Sequence, residues 1–202
     1  MQYYHDLIIK KSFDILKSLK RKYQFILIGG WAVFLYTNSL KSKDIDIILD
    51  YEELSRLKES FDVTKNGRLK KYEVKAEGID IDIYLPYFSD PGLPCQEIKK
   101  FTLTKEGFIL PIPEVLLILK QGAFSERKES PKGTKDKIDI FSLLLLENFD
   151  FSKYKKILKK YNKKELIVHL RSLLKETFEV KELKLSRHKM ARFKKEILKE
   201  IT

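Results

Sequence analysis

Two segments of the chain alternate aspartate with isoleucine, and this repeated pattern limits the folds that the chain can adopt. They read DIDIILD, which starts at Asp44, and IDIDIYL, which starts at Ile79. Alternation and β-branching predict a β-strand in each segment. Because alternate side chains of a strand share a face, Asp44 and Asp46 should point to one side of a sheet, and so should Asp80 and Asp82. The isoleucines between them should point into the core.

Carboxylates that share a face repel each other and are costly where water is scarce, unless they are paired, hydrogen-bonded or bound to a metal. A divalent cation removes that repulsion, and Mg²⁺ prefers hard oxygen ligands. If the two segments lie beside each other, three or four carboxylates converge, as in the two-metal sites of phosphoryl transfer. The alternative is an amphipathic strand whose aspartates are simply solvated, and for one such segment alone that alternative is the better one.

A double glycine precedes the first of these segments and adds a second indication. QFILI reads as a short buried strand, and Gly29 and Gly30 connect it to the apolar helix predicted from Trp31. A strand, two glycines and a helix allow the backbone and the amides at the helix N-terminus to approach a phosphate closely. Close packing of a helix on a strand also requires small residues. The glycines therefore indicate phosphate binding only in combination with Asp44 and Asp46.

The pattern of apolar residues divides the chain into an α/β part at 1–112 and a helical part at 113–202. The α/β part should contain helices at 3–22, 31–38 and 51–61, the two Asp-Ile strands, a strand at 68–77, and a hairpin at 101–112. We place the turns at Gly78 and across Glu106 and Gly107. The helical part should contain a helix opening at Pro113, one within 130–148, and three more at about 151–161, 163–177 and 186–201.

The formal net charge of +12 is concentrated at one end of the chain. Residues 151–202 hold 17 Lys and Arg against 6 Glu, whereas residues 1–150 hold 24 against 23 acidic residues. Such an end favours a polyanionic partner, although a solvated helical face has the same composition. The sequence starts without the features of a signal peptide and has no apolar run near the roughly 18 residues that span a bilayer, which predicts a cytoplasmic protein. The lone Cys95 has no partner for an internal disulfide.

Gly29-Gly30, a helix, the strand Asp44-Ile45-Asp46 and an acid on a later strand together resemble the signature of nucleotidyltransferases of the DNA polymerase β superfamily. The resemblance implies an α+β fold, in which a polymerase β-like core with a small mixed sheet flanked by helices precedes an all-helical C-terminal region. It also implies two Mg²⁺ ions, with Mn²⁺ as a substitute, held by Asp44, Asp46 and a third acid. The family pattern favours Asp82 as that acid, with Asp80 as the alternative.

The segment from Pro113 to about residue 145 is similar to the helical region of AbiEii-like, type IV toxin nucleotidyltransferases and their archaeal relatives. There a lysine on the helix and a K-D-x-x-D element face the nucleotide, which would assign those roles to Lys120, Lys135, Asp136 and Asp139. From the residues alone, Lys120 could instead extend to solvent, and the aspartates could cap their helix.

These features predict a Mg²⁺-dependent enzyme that transfers NMP from an NTP to an acceptor hydroxyl. Asp44, Asp46 and Asp82 would be the catalytic and metal-binding residues, and Gly29, Gly30 and Lys120 would contact the triphosphate. The basic helices after residue 150 would suit RNA, such as tRNA, or an acidic antitoxin-like protein. Two alternatives are an adenylyltransferase for an aminoglycoside-like small molecule, and a nucleic-acid-binding protein that keeps the fold without turnover.

Overall fold

The computed structural model describes the backbone of residues 2–201 and the side chains of residues 6–201. The chain divides into two compact units, Met1–Ile112 and Pro113–Thr202. Among the residues described, no helix combines the length and the apolar character that are needed to cross a bilayer.

The first unit is built on a seven-stranded sheet with the strand order β3-β4-β5-β2-β1-β7-β6. β2 pairs with β5 in parallel and β1 with β7 in parallel, whereas the other neighbours are antiparallel. The strands are β1 (Ile26–Ile28), β2 (Ile45–Ile48), β3 (Val63–Asn66), β4 (Lys71–Ala76), β5 (Ile79–Tyr84), β6 (Thr102–Lys105) and β7 (Phe108–Pro111).

The helices of this unit cover the apolar side of the sheet, and a buried hydrogen bond joins two of them. They are α1 (Gln2–Lys22), α2 (Gly29–Thr37), α3 (Tyr51–Lys58) and the single turn α4 (Cys95–Ile98), which continues into a short 3₁₀ helix. The indole of Trp31 on α2 donates a buried 2.9 Å hydrogen bond to the Ser12 hydroxyl on α1. Because both groups are buried, this bond satisfies two polar groups that would otherwise be costly and holds α2 against α1.

Two tight hairpins, one in each half of the sheet, set the register of the strands that they join. Residues Glu77-Gly78 join β4 to β5, and Glu106-Gly107 join β6 to β7, with both residues of each turn at positive φ. Two-residue turns of this conformation match the twist of the strands that they join. The predicted turns at these positions are therefore confirmed.

Several elements differ from those that the sequence indicates. The strand β3 was not predicted, because its segment VTKN is short, polar and largely exposed and is held only by pairing with β4 at the sheet edge. α4 was also not predicted. Helix α2 begins at Gly29, two residues before the predicted start at Trp31, so both glycines belong to its first turn. β2 begins at Ile45, so Asp44 lies just before the strand.

The second unit is a set of five helices whose apolar faces pack together. They are α5 (Pro113–Arg127), α6 (Pro131–Leu144), α7 (Phe151–Lys160), α8 (Glu165–Glu176) and α9 (Arg187–Glu200). Side chains at two N-termini accept backbone hydrogen bonds: Ser130 from the amide of Gly133 and Asp150 from the amide of Lys153. Such caps satisfy amides that have no partner within their helix and so define where α6 and α7 begin.

Candidate active site

The two Asp-Ile segments lie side by side in the centre of the sheet. β2 and β5 are parallel, and their register pairs Asp46 directly with Asp82. Directly paired residues of neighbouring strands point to the same face, so these two carboxylates are neighbours. Asp44 precedes Asp46 by two residues and is, like Asp46, half-buried. Ile45, by contrast, is fully buried on the core side.

Gly29 lies against the side chain of Asp46, and no larger residue would fit there. Gly29 has φ of +66°, a left-handed conformation that side chains disfavour. A Cβ atom at this position would lie 2.6 Å from Cγ and 2.8 Å from Cβ of Asp46. The strand-to-helix turn is therefore shaped so that its backbone closely approaches the carboxylate side of the sheet.

Gly30 makes a similar approach to the loop before β2. A Cβ atom on Gly30 would lie 2.9 Å from both Cβ and Oγ of Ser42. The Ser42 hydroxyl in turn donates a 2.9 Å hydrogen bond to the backbone carbonyl of Asp44. Ser42 thus connects the glycine turn to the first aspartate, and it fixes the backbone just where the strand starts.

Asp82 is bound by a cation from the neighbouring strand. The ammonium of Lys71 on β4 lies 2.7 Å from Oδ2 of Asp82 and 3.0 Å from Oε1 of Glu73. Glu73 also accepts a 3.1 Å hydrogen bond from the side-chain amide of Asn66 on β3. Glu73 pairs directly with Asp82 across the β4–β5 hairpin, so a row of carboxylates from Asp46 through Asp82 to Glu73 crosses three strands.

The protonation of this cluster follows from its contacts. Partial burial alone would lower the pKa of Lys71, but its hydrogen bonds to Asp82 and Glu73 outweigh that effect and raise the pKa. Lys71 is therefore a firmly protonated cation. The hydrogen bond from Lys71 lowers the pKa of Glu73 against the opposing effect of desolvation, and the hydrogen bond from Asn66 adds to the lowering.

Asp80, the alternative third acid, has a different environment from Asp82. It lies on the same face of β5, but its side chain is 62% exposed and pairs with the exposed Lys75 at 3.5 Å. The side chain of Asp82 is 23% exposed. The register opposite Asp46 thus favours Asp82.

The carboxylate oxygens of Asp44, Asp46 and Asp82 are the kind of ligand that a hard divalent cation prefers, and the register places Asp46 beside Asp82. Within residues 6–201, however, no three His, Cys, Asp or Glu side chains are grouped closely enough to hold a metal ion as they stand. In the same structure Asp82 is engaged by Lys71. The shared metal site therefore stays a prediction, and it requires Asp82 to exchange its partner.

The predicted nucleotide contacts of the second unit lie in a buried ion-pair cluster. The ammonium of Lys120 on α5 lies 2.6 Å from Asp139 and 3.2 Å from Asp136 on α6. Arg127 binds the other oxygen of Asp136 at 2.7 Å. The side chains of Lys120, Asp136 and Asp139 are 10%, 2% and 4% exposed, so this cluster ties α5 to α6.

Lys135 and Asp139 differ in accessibility although they lie on the same helix. Lys135 is exposed, whereas desolvation by burial raises the pKa of Asp139 against the opposing effect of Lys120. The assignment of Lys120, Lys135 and Asp139 to nucleotide binding stays a prediction. For Lys120, a phosphate contact would require the ammonium to leave an aspartate.

The sequence motifs do not indicate the contacts of Lys71, Glu73 and Ser42. The first two could have been found by counting back from the turn predicted at Gly78. A two-residue loop at Glu77-Gly78 places Glu73 opposite Asp82. No comparable signal pointed to Ser42, because its role depends on how closely the glycine turn approaches the loop.

Comparison with solved structures agrees with this architecture. The chain is similar to ANT(2")-Ia, crystallised in complex with adenylyl-2"-tobramycin, with 15% identity, a TM-score of 0.53, and coverage of 78% of this chain and 98% of that one. It is also similar to a candidate nucleotidyltransferase from H. pylori, with 16% identity, a TM-score of 0.52, and coverage of 96% and 95%.

At these identities the likeness establishes the fold: an α+β nucleotidyltransferase fold whose core is followed by helices, as predicted. No protein-family model matches the sequence, and the comparison with curated proteins gives no match.

Proposed function

We propose that this protein is a Mg²⁺-dependent nucleotidyltransferase that transfers NMP from an NTP to an acceptor hydroxyl. The observation that carries the proposal is the direct pairing of Asp46 with Asp82 on neighbouring parallel strands, with the half-buried Asp44 just before the first of these strands. The close approach of Gly29 to the Asp46 side chain supports it, because a phosphate chain needs backbone access beside the ions.

In this proposal Asp44, Asp46 and Asp82 hold the divalent cations. The chemistry that Mg²⁺ would supply there is a lower pKa for the attacking hydroxyl and compensation of charge on the departing pyrophosphate. Asp82 also serves as the base that takes up the proton of the acceptor hydroxyl. Gly29 and Gly30 present the first amides of α2 to the triphosphate.

The family resemblance also assigns nucleotide contacts to Lys120, Lys135 and Asp139, and the proposal includes these contacts. The exposed ammonium of Lys135 suits a direct phosphate contact. The role of Lys120 would be to change partner, from Asp139 or Asp136 to a phosphate, when the nucleotide binds.

The proposed acceptor is RNA, such as tRNA. Residues 151–202 carry the excess positive charge, and nearly all of their lysines and arginines are exposed or half-exposed. Phe178 is 69% exposed, and the Lys194 ammonium lies 5.1 Å from the centroid of its ring. An exposed aromatic ring beside a cation is suited to stacking on an unpaired base. A toxin-like role would add an acidic antitoxin protein as a second partner for the same basic helices.

The second candidate is adenylylation of an aminoglycoside-like small molecule. It is favoured by the similarity to ANT(2")-Ia with its adenylylated tobramycin ligand. The charge of the second unit favours a polyanionic acceptor over a cationic one, so we rank this candidate below RNA.

Transfer can be tested with the intact chain, each of the four α-³²P-labelled NTPs, Mg²⁺, and either total RNA or a panel of aminoglycosides. Label that appears on RNA supports the first candidate, and label on a small molecule supports the second. Binding of RNA without label supports the non-catalytic alternative and contradicts the proposal.

The residue assignment is tested in the same assay with Asp46→Asn and the control Asp62→Asn. Asp62 is an exposed carboxylate of the same unit before β3. We expect Asp46→Asn to lose labelling while its circular dichroism spectrum is unchanged, and Asp62→Asn to label normally. An Asp46→Asn protein that still labels its acceptor refutes the site.

A further inference from the structure

Lys71 is a cation built into the carboxylate face of the sheet. Its side chain is 13% exposed, and its ammonium lies within 3.0 Å of two carboxylates, Asp82 and Glu73. The two acids come from neighbouring strands in direct register. The lysine is therefore held by the hairpin itself and is not a mobile surface residue that happens to lie near an acid.

We propose that Lys71 is the resident counterion of Asp82, and that a divalent cation can use Asp82 only by displacing the Lys71 ammonium from it. The inference rests on the proposed function in one respect, the use of Asp82 as an ion ligand. It adds a competing residue that neither the motif nor the fold implies.

The competition has a direct electrostatic reason. Oδ2 of Asp82 accepts a charge-assisted hydrogen bond of 2.7 Å from Lys71, which occupies the side of the carboxylate toward β4. An ammonium and a divalent cation on the same carboxylate repel each other. The ion therefore gains less from Asp82 while Lys71 remains there.

Glu73 makes the displacement feasible. Lys71 already lies 3.0 Å from Glu73, so an ammonium that leaves Asp82 keeps one ionic partner. The amide of Asn66 holds the Glu73 carboxylate at 3.1 Å and keeps it available. Lys71 can thus move between two adjacent acids without becoming an unpaired buried charge.

The inference predicts that removal of the Lys71 charge tightens divalent-cation binding. We would titrate Mn²⁺ into the wild-type chain, Lys71→Met and the control Lys75→Met, and follow the free ion by electron paramagnetic resonance. Lys75 lies on the same face of β4 and pairs with Asp80 in an exposed ion pair. We expect Mn²⁺ to bind about tenfold more tightly to Lys71→Met, because the repulsion between the ammonium and the ion is removed. We expect little change for Lys75→Met, which reports the general loss of one positive charge.

A second comparison tests whether the effect passes through Asp82. In an Asp82→Asn background, Lys71→Met should no longer tighten Mn²⁺ binding, because the contested carboxylate is gone. Lys71→Gln keeps a hydrogen-bonding side chain without the charge and should behave as Lys71→Met. It replaces that variant if the methionine perturbs the fold.

Three results would overturn the inference: equal Mn²⁺ affinity for wild type and Lys71→Met, an equal gain in Lys75→Met, or a gain that persists in the Asp82→Asn background. The titration contains no NTP and no acceptor. Absence of NMP transfer would therefore refute the proposed function without altering this result, and the two failures are distinguishable.

Discussion

Asp46 and Asp82 occupy directly opposed positions on two neighbouring parallel strands in the centre of the sheet. Their proximity depends on the pairing of β2 with β5 and not on the loops that connect them. The backbone hydrogen bonds of that pairing and the buried isoleucines on either side of each aspartate hold the two carboxylates side by side.

The first prediction separates the two acids of β5. Asp82→Asn should reduce NMP transfer by at least about a hundredfold, since it removes both a cation ligand and the proposed base. Asp80→Asn should have a much smaller effect, because Asp80 is an exposed partner of Lys75. Initial rates of label transfer to RNA measure both. A larger loss in Asp80→Asn would move the third acid to that position.

The second prediction concerns the glycine turn. Gly29→Ala places a side chain against Asp46 and holds a residue with a Cβ at φ of +66°. We expect the free energy of unfolding to fall by about 1–3 kcal/mol, with weaker Mn²⁺ binding because Asp46 must move.

Urea denaturation measures the stability change, and Gly67→Ala is its control. A Cβ on Gly67 meets no atom within 4 Å, so that variant should be as stable as the wild type. Equal stability of both variants would contradict the packing at Gly29.

The third prediction tests the buried cluster of the second unit. Lys120→Met leaves Asp136 and Asp139 buried beside each other without the ammonium that pairs with both. Breaking a buried ion pair costs about 3–5 kcal/mol, and we expect a loss of that size in urea denaturation. Lys135→Met, at an exposed position of α6, should be nearly neutral. A stable Lys120→Met protein would show that the cluster does not hold α5 to α6.

The fourth prediction concerns Cys95, which is fully buried. Burial raises the pKa of its thiol to about 12, with a smaller contribution from the nearby Asp90 carboxylate. Since the thiolate is the reactive form, iodoacetamide should not modify the native protein at mildly alkaline pH. The same reagent should modify the chain fully in denaturing urea, which mass spectrometry would show. Rapid modification of the native protein would contradict the packing around α4.

The fifth prediction concerns the pH dependence of Glu73. The Lys71 hydrogen bond holds the pKa of this carboxyl below its ordinary value of 4.5. A carboxyl whose pKa is lower in the folded state than in the unfolded state stabilises the folded protein. This stabilisation is complete at pH values above the unfolded-state pKa, and it is lost as the pH falls through the folded-state pKa. Lys71→Met should therefore raise the Glu73 pKa toward 4.5 in a carboxyl ¹³C NMR titration, whereas Lys75→Met should leave it unchanged. An unshifted pKa in Lys71→Met would contradict the pairing.

The sequence was sufficient to predict those parts of the site that depend on local periodicity. Alternation of aspartate with isoleucine defines which face each carboxylate occupies, and that rule holds in β2 and β5. The tight turns at Gly78 and Gly107 were predicted because a two-residue turn at positive φ favours glycine.

The contacts of the site could not be predicted from periodicity. The pairing of β2 with β5 joins segments that are distant in the chain, and the repeated Asp-Ile pattern raised it only as a condition for a shared site. The partners of Lys71 and Lys120 depend on which side chains meet across a hairpin or between two helices. Lys71 lies in the basic segment RLKK and does not differ in its local sequence from the many solvated lysines of this chain. Lys120 is distinguished by the apolar segment LLIL before it, but that segment does not identify Asp136 and Asp139 as its partners.

The origin of Lys71 has a consequence for how such proteins diversify. The aspartates lie on or beside β2 and β5 in the middle of the sheet, whereas Lys71 is the first residue of β4, next to the edge strand β3. Under the proposed competition, exchange of this one lysine would change the affinity for divalent ions while the carboxylates themselves are unaltered. A protein of this design could then be adapted to magnesium-poor or manganese-rich surroundings without the loss of any proposed ligand.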